Sequence, residues 1–255
     1  MRGLKDKTVI VTGGGGGIGG AACLRFAAEG AKVAGFDINK EAAEATVAAI
    51  VAAKGRAKAF SCDISDYAAV QAAVAAVRAE LGPVDILVNN AGWDVFRPFL
   101  QTTPADWQRL IAINLVGALN MHHVVLPEMV ERRSGRVVNV ASDAGRVGSS
   151  GESVYSACKG AMISLSKTLA RENASKGISI NVVCPGPTET KLLTDVVATA
   201  NNPEKLLEAF RRAVPMGRLG LADDLPGAIC FFASDDAAFI TGQVLSVSGG
   251  LTMSG

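Results

Sequence analysis

Aromatic residues are scarce in this chain. Two Trp, two Tyr and nine Phe make up 5% of 255 residues, too few for the stacking platforms that hold single-stranded nucleic acid. Excess charge is missing as well. The 25 Lys and Arg against 24 Asp and Glu leave a net charge of +1, which excludes both a basic nucleic-acid footprint and an acidic tail. The five cysteines, Cys23, Cys62, Cys158, Cys184 and Cys230, are odd in number, widely spaced and never form C-x-x-C. That spacing argues against a disulfide framework or a zinc site and fits a reducing cytoplasm. The two histidines, His122 and His123, are adjacent. Neighbours on a helix point to different faces, so they cannot act as a ligand pair, and no metal is expected. No apolar run reaches about 18 residues, so no membrane span is expected. Met1 to Lys7 lacks the apolar core of a signal peptide. Repeats, linkers and low-complexity tracts are absent apart from one run of glycines, and a single domain over 1–255 is expected.

That run is the most informative stretch present. Val9-Ile10-Val11-Thr12 breaks into Gly13 to Gly17, then Ile18-Gly19-Gly20, then a helical pattern through Ala28. Strand, tight turn and helix in that order form an anion cradle. Glycine lets a ligand approach the backbone, and the first helical turn offers unpaired N–H groups and a positive dipole end. A P-loop is excluded because no Gly-Lys-Ser/Thr follows. Short apolar runs alternate with helical patterns along the rest of the chain. Strands are predicted at 31–37, 56–60, 84–88, 136–141, 178–184 and 243–247, with helices between them. Asn39, Asp66 and Thr103 are the expected helix caps. The alternation predicts an α/β fold of the doubly wound Rossmann type, about seven parallel strands with helices on both faces. Ligands bind such sheets beyond the carboxyl ends of the strands. Gly13 to Gly19, Asp37, Asp63, Asn89, Ser142 and Thr188 all fall at that edge. The polar 188–214 segment is expected to be partly helical and mobile.

Asp37 lies 20 residues after Gly17, at the end of the second predicted strand. A carboxylate there accepts both ribose hydroxyls of an adenosine and repels a 2′-phosphate, so NAD is favoured over NADP. Lys40 is the nearest cation that could oppose this. Asp63 contacts the adenine edge or merely begins the next turn. Tyr155 and Lys159 share a helix face at i, i+4 spacing, and an ammonium beside a phenol is expected to lower the phenol's pKa. A tyrosine tuned in this way acts as general acid or base near neutral pH. Ser142 can hold a substrate oxygen. Asn114, polar on an apolar helix face, either holds a proton-relaying water or satisfies backbone groups.

Thr12-Gly13-x-x-x-Gly17-Ile18-Gly19, Asn89-Asn90-Ala91-Gly92, Asn114, Ser142, Tyr155-x-x-x-Lys159 and Pro185-Gly186 span nearly the whole chain. In that order they resemble the short-chain dehydrogenase/reductase family. The resemblance implies hydride transfer between nicotinamide and a carbonyl or alcohol carbon. Tyr155 would exchange the proton, Lys159 would hold the nicotinamide ribose, Ser142 would orient the substrate oxygen and Asn114 would anchor the relay water. It also implies that the dinucleotide lies along Gly13, Gly16, Gly17, Ile18, Asp37, Asp63, Ile64, Asn90, Ala91, Gly92, Tyr155, Lys159, Pro185, Gly186, Thr188 and Thr190. Pro187 and Glu189 are unusual within the Pro-Gly-x-x-x-Thr stretch. The family's usual assembly implies a homotetramer through the two long helices and the carboxyl-terminal segment.

Substrate contacts are expected from Trp93, Asp94, Asp143 and Arg146. Trp93 and Phe96 either line an acyl pocket or belong to the core. At a finer level, Asn89 to Asp94, Ala141 to Ala144, Arg146 to Glu152 and the Ser-Val-Ser-Gly-Gly-Leu-Thr-Met ending resemble the dehydrogenases of 2-hydroxycyclohexanecarboxyl-CoA in anaerobic benzoate breakdown. That resemblance implies NAD-dependent oxidation of a β-hydroxyacyl-CoA. The alternatives are a 3-oxoacyl-acyl carrier protein reductase, whose carrier would dock on Arg132, Arg133 and Lys176, another alcohol dehydrogenase of the same family, and a dinucleotide sensor without catalysis.

Overall fold

The computed structural model describes residues 1–198, 200 and 202–253. Thr199 and Asn201 of the expected 188–214 segment, and residues 254–255, lie outside the described residues. Strand β1 (Thr8–Thr12) leads through the glycine turn into α1 (Gly17–Ala28). Then come β2 (Lys32–Asp37), α2 (Lys40–Ala52), β3 (Arg56–Ser61), α3 (Tyr67–Leu81) and β4 (Ile86–Asn89). Helix α4 (Pro104–Ile111) runs through a π turn (Ala112–Val116) into α5 (Gly117–Arg132). Strand β5 (Gly135–Val140), the short α6 (Ala144–Val147), α7 (Ser153–Asn173) and β6 (Ile178–Pro185) follow. A two-residue strand β7 (Thr188–Glu189) precedes α8 (Lys191–Ala198) and α9 (Pro203–Ala213). The chain closes with β8 (Gly220–Leu221), α10 (Pro226–Ala233) and β9 (Val244–Val247).

Seven parallel strands form one sheet in the order β3-β2-β1-β4-β5-β6-β9. This is a Rossmann-type sheet with helices on both faces. Strand alternation decides which residue feeds which layer. Val9, Val11, Ile86 and Val88 enter a core with Phe26 of α1 and Ile229 of α10. Ile10 and Leu87 enter the opposite core, with Val74 of α3 and Met121 of α5. The chain builds outward from β1 to β3, then restarts on the other side of β1 with β4. A crevice opens at that switch point, between the carboxyl ends of β1 and β4.

The expected caps form. Asn39 accepts from the Ala42 N–H, Asp66 accepts from Ala68 and Ala69, and Thr103 and Asp106 make a reciprocal capping box ahead of Pro104. The last helix, whose pattern runs from Ala222 to Ala233, is shorter than expected. Ala222–Asp224 is a 3₁₀ turn and α10 starts only at Pro226, because proline has no N–H to continue a helix but suits its first position. The 29-residue helical run Pro104–Arg132 has an 18-residue window with mean hydropathy 1.5, enough by length and composition for a membrane crossing. Here it packs within the domain, against α3 and α7 among others.

Beneath the crevice, His122 is buried in a polar cluster. Its Nδ1–H donates to the Ala118 carbonyl at 2.6 Å, leaving Nε2 to accept from Asn139, 3.3 Å away. Asn139 also donates to Ser166 at 2.7 Å and accepts from Asn89 at 2.9 Å. Burial pushes the imidazole down to about 4 from the usual 6.5, so it stays neutral when folded. Below pH 6.5 the unfolded chain binds a proton there that the folded chain refuses. Stability is therefore full above pH 6.5 and should fall by up to ~3 kcal/mol as pH drops toward 4. Urea midpoints at pH 7 and pH 5 should show this loss in the natural protein and a smaller one in His122→Gln. Equal losses in both would contradict it.

Candidate active site

The glycine turn is shaped by what surrounds it. Gly13 has a positive φ of 68°, and a Cβ there would lie 3.0 Å from Asn90 Nδ2. A Cβ on Gly19 would lie 2.1 Å from the Gly13 carbonyl oxygen. A Cβ on Gly16 would meet nothing within 4 Å, which leaves open space at the head of α1. Thr12 ties β1 to β4: its hydroxyl accepts the N–H groups of Asn90 and Ala91 at 2.9 and 3.0 Å. Asn90 Nδ2 donates to the Thr12 carbonyl at 3.0 Å. The sequence places Thr12 at the head of the glycine motif but does not show this tie to β4.

Asp37 stands at the end of β2. One of its carboxylate oxygens accepts the Gly15 N–H and the other the Asn39 N–H, both at 2.9 Å. A Cβ on Gly15 would come 2.8 Å from Asp37 Oδ2, so only glycine admits this bond. Asp63 is exposed and accepts from the Ser65 N–H and hydroxyl at 2.9 and 2.7 Å, as a residue that begins a turn does. Ile64 packs on Gly117. At the far side, Gly186 packs on Ser248, and Thr188 donates to the Gly186 carbonyl at 2.9 Å. The Thr190 methyl sits 3.4 Å from a Cβ position on Gly17, which brings the 188–190 stretch over the start of α1. A glycine cradle, a carboxylate at the ribose position and a polar roof fit an extended dinucleotide.

Tyr155, Ser142 and Lys159 converge beyond β5. The Ser142 hydroxyl faces that of Tyr155, and the Lys159 ammonium lies 5.5 Å from the centre of the Tyr155 ring. Lys159 is buried and donates to the Val140 carbonyl at 3.1 Å. Burial lowers it to about 8. The expected lowering of the phenol is not what this environment produces. Burial raises the Tyr155 pKa, the Asp94 and Glu152 carboxylates add to the rise, and only the Ser142 bond works against it. The reason is the low dielectric, which penalises the phenolate more than a partly neutral Lys159 can offset.

Asn114 lies in the π turn, fully buried. Its Nδ2 donates to the carbonyls of Trp93 and Leu110 at 2.7 and 3.0 Å, and its Oδ1 accepts the Trp93 N–H at 3.2 Å. A Cβ on Gly92 would meet that Oδ1 at 2.9 Å and the Lys159 ammonium at 3.4 Å, so both groups face the same small space. Asn114→Leu should cost about 2 to 4 kcal/mol, because it strands the part-buried Trp93 N–H and carbonyl and the buried Leu110 carbonyl. Urea denaturation would read the loss, and an unchanged midpoint would contradict this role.

The four expected substrate residues separate into two places. Trp93 and Asp94 lie by Lys159, with the Arg109 guanidinium stacked 4.0 Å over the Trp93 ring. Asp143 and Arg146 instead meet on Ser246 of β9, Arg146 donating at 2.7 Å and the Ser246 hydroxyl donating to Asp143. One residue that the sequence did not single out joins the first group. Glu152, just before α7, hydrogen-bonds Asp94.

Residues 7–201 match the family described as short chain dehydrogenase. The chain belongs to this family. As a short-chain dehydrogenase it is an oxidoreductase of CH–OH groups, and its cofactor is a nicotinamide dinucleotide. It is 41% identical over 247 residues to an acetoacetyl-CoA reductase of Rhizobium meliloti (strain 1021), covering 96% of this chain and 98% of the relative. It is 35% identical over 250 residues to a 3-oxoacyl-[acyl-carrier-protein] reductase of Thermotoga maritima, covering 98% and 99%. Among solved structures, NAD+-bound xylitol dehydrogenase superposes with a TM-score of 0.91 at 33% identity, covering 98% of this short-chain dehydrogenase and 100% of that chain.

Proposed function

We propose that this protein interconverts a β-hydroxyacyl-CoA and a β-ketoacyl-CoA with NAD, and that the natural substrate is a cyclic acyl thioester such as 2-hydroxycyclohexanecarboxyl-CoA. The observation that carries the reaction class is the convergence of Ser142 and Lys159 on Tyr155. When bound, the nicotinamide takes up or gives back the hydride. The chain's own residues do the rest. Ser142 holds the substrate oxygen, and the Tyr155 hydroxyl passes a proton to or from it. Lys159, at about 8, keeps a positive charge near that oxygen for much of the time at neutral pH. Asn114 and Lys159 face the space where a relay water would connect them to solvent.

NAD rather than NADP is supported by Asp37, locked in place by Gly15, and by Lys40, whose ammonium pairs with Glu44 at 3.6 Å instead of facing the ribose site. A thioester is supported by the names of the two reductase relatives. The carrier-protein alternative draws on Arg132, Arg133 and Lys176. Arg132 is held by Asp85 at 3.3 Å and by the Val84 carbonyl at 2.5 Å, and Arg133 donates to the Ser175 carbonyl at 2.7 Å, which weakens that reading. We further propose that 188–214 closes over substrate. Its α9 fully buries none of its residues. A homotetramer is supported by the half-exposed Leu119 on α5 and the fully exposed Phe239 near the carboxyl terminus. Five buried, free cysteines suit a reducing cytoplasm.

The finer reading is tested by comparing kcat/KM for cyclic and linear β-hydroxyacyl-CoAs. A preference of about tenfold or more for the ring is expected, the size a well-fitted apolar pocket supplies. A preference for the linear chain would overturn it.

A further inference from the structure

We infer that Asp94 and Glu152 form a proton-sharing carboxyl pair that sets the charge of the substrate pocket and selects neutral acyl thioesters over free β-keto and β-hydroxy carboxylates. This rests on the thioester reading above and names what enforces it.

The two residues come from stretches 58 positions apart. The Arg97 N–H donates to the Gly151 carbonyl at 2.8 Å, and Phe96 lies against Gly151, so the 94–97 segment is clamped to the loop before α7. This clamp presses the Asp94 carboxyl onto that of Glu152. Asp94 is 7% exposed, and one of its oxygens accepts the Val95 N–H at 2.7 Å. Among the described residues, neither carboxyl takes part in a salt bridge. The nearby cations are engaged elsewhere: Arg97 pairs with Asp106 at 3.1 Å and Arg109 stacks on Trp93. From α7 the pair is faced by Tyr155 and Lys159. Two carboxyls in hydrogen-bond contact repel when both are ionised, and Asp94, buried and without a salt-bridge partner, is the one that keeps a proton between them. Consistently, burial and Glu152 together push Asp94 up to about 8.

At neutral pH, with Asp94 holding that proton, the pair carries no more than one negative charge. That charge balances the Lys159 ammonium, and no net positive charge is left beside Tyr155 to hold a substrate carboxylate. A thioester carbonyl is neutral and escapes the repulsion, and the shared proton can hydrogen-bond to it. Converting the pair to neutral amides removes the bias and leaves Lys159 to attract anions.

The test measures kcat/KM for acetoacetyl-CoA and for acetoacetate in the natural protein and in Asp94→Asn/Glu152→Gln, with NADH. The thioester-to-acid ratio should fall by about tenfold or more in the double variant, whatever common factor the changes place on both rates. A ratio unchanged within about twofold in a folded variant would overturn the inference. Infrared spectra supply a readout that needs no substrate. The natural protein at pH 7 should show a protonated carboxylic acid band that is lost in the double variant. Absence of that band in the natural protein would also overturn the pair. If the band is present but no thioester turns over, the thioester reading fails and the pair stands.

Discussion

Replacing Tyr155 by phenylalanine should lower kcat by about 10³-fold or more, at the upper part of what a positioned acid or base supplies, while leaving NADH affinity within about twofold. The substitution removes one oxygen and keeps the ring, which is buried beside Lys159 and packed in α7. Nothing in the glycine cradle changes, so binding measured by the fluorescence of NADH should persist. The raised pKa of the phenol sharpens the expectation. In the unliganded protein Tyr155 is a neutral acid, held so by burial and by the negative charge of the Asp94–Glu152 pair. It is ready to donate to a ketone oxygen, and reduction should proceed well below neutral pH. Oxidation needs the phenolate and should rise with pH. Tyr155→Phe should lose both directions. Near-natural turnover in that variant would remove Tyr155 from the chemistry.

The second large effect concerns Asp37. The unmodified protein should prefer NAD to NADP by about 10²-fold or more in kcat/KM, since a 2′-phosphate brought against a fixed carboxylate meets repulsion of several kcal/mol at short range. Asp37→Ala should close most of that gap, chiefly by weakening NAD use. The size follows from how firmly Asp37 is held, with backbone N–H groups from Gly15 and Asn39 on its two oxygens. A carboxylate so placed cannot swing away to admit a phosphate. Equal use of both cofactors by the natural protein would contradict this, as would an unchanged preference in Asp37→Ala.

Much of this was legible in the sequence because it is local. Strand ends, the glycine turn, the caps at Asn39, Asp66 and Thr103, and the Tyr155–Lys159 spacing each depend on residues a few positions apart. The β7–β8 pairing was not legible, since two-residue strands carry no periodicity. Nor was the π turn at 112–116, because Ala112 to Val116 continue the apolar helical pattern without a break and only backbone geometry distinguishes them. Ser142, Tyr155 and Lys159 could be assigned to one reactive group from motif order alone. The electrostatics of that group could not, because the residues that raise the phenol arrive from elsewhere in the fold. Glu152 reads as an ordinary charge before a helix until the Arg97–Gly151 contact folds residue 94 onto it. Asp143 and Arg146 show the converse. Motif order places them beside Ser142 but does not show that both also reach Ser246 of β9.

The decisive measurement is the initial rate of NADH formation from NAD by the natural protein. The comparison sets 3-hydroxybutyryl-CoA and a cyclic β-hydroxyacyl-CoA against the matching 3-hydroxybutyrate and a simple sugar alcohol at equal concentration. The thioesters should be oxidised and the other two should lag by about tenfold or more. Turnover of the sugar alcohol or free acid, with no rate on either thioester, would contradict the proposal that this protein is a β-hydroxyacyl thioester dehydrogenase.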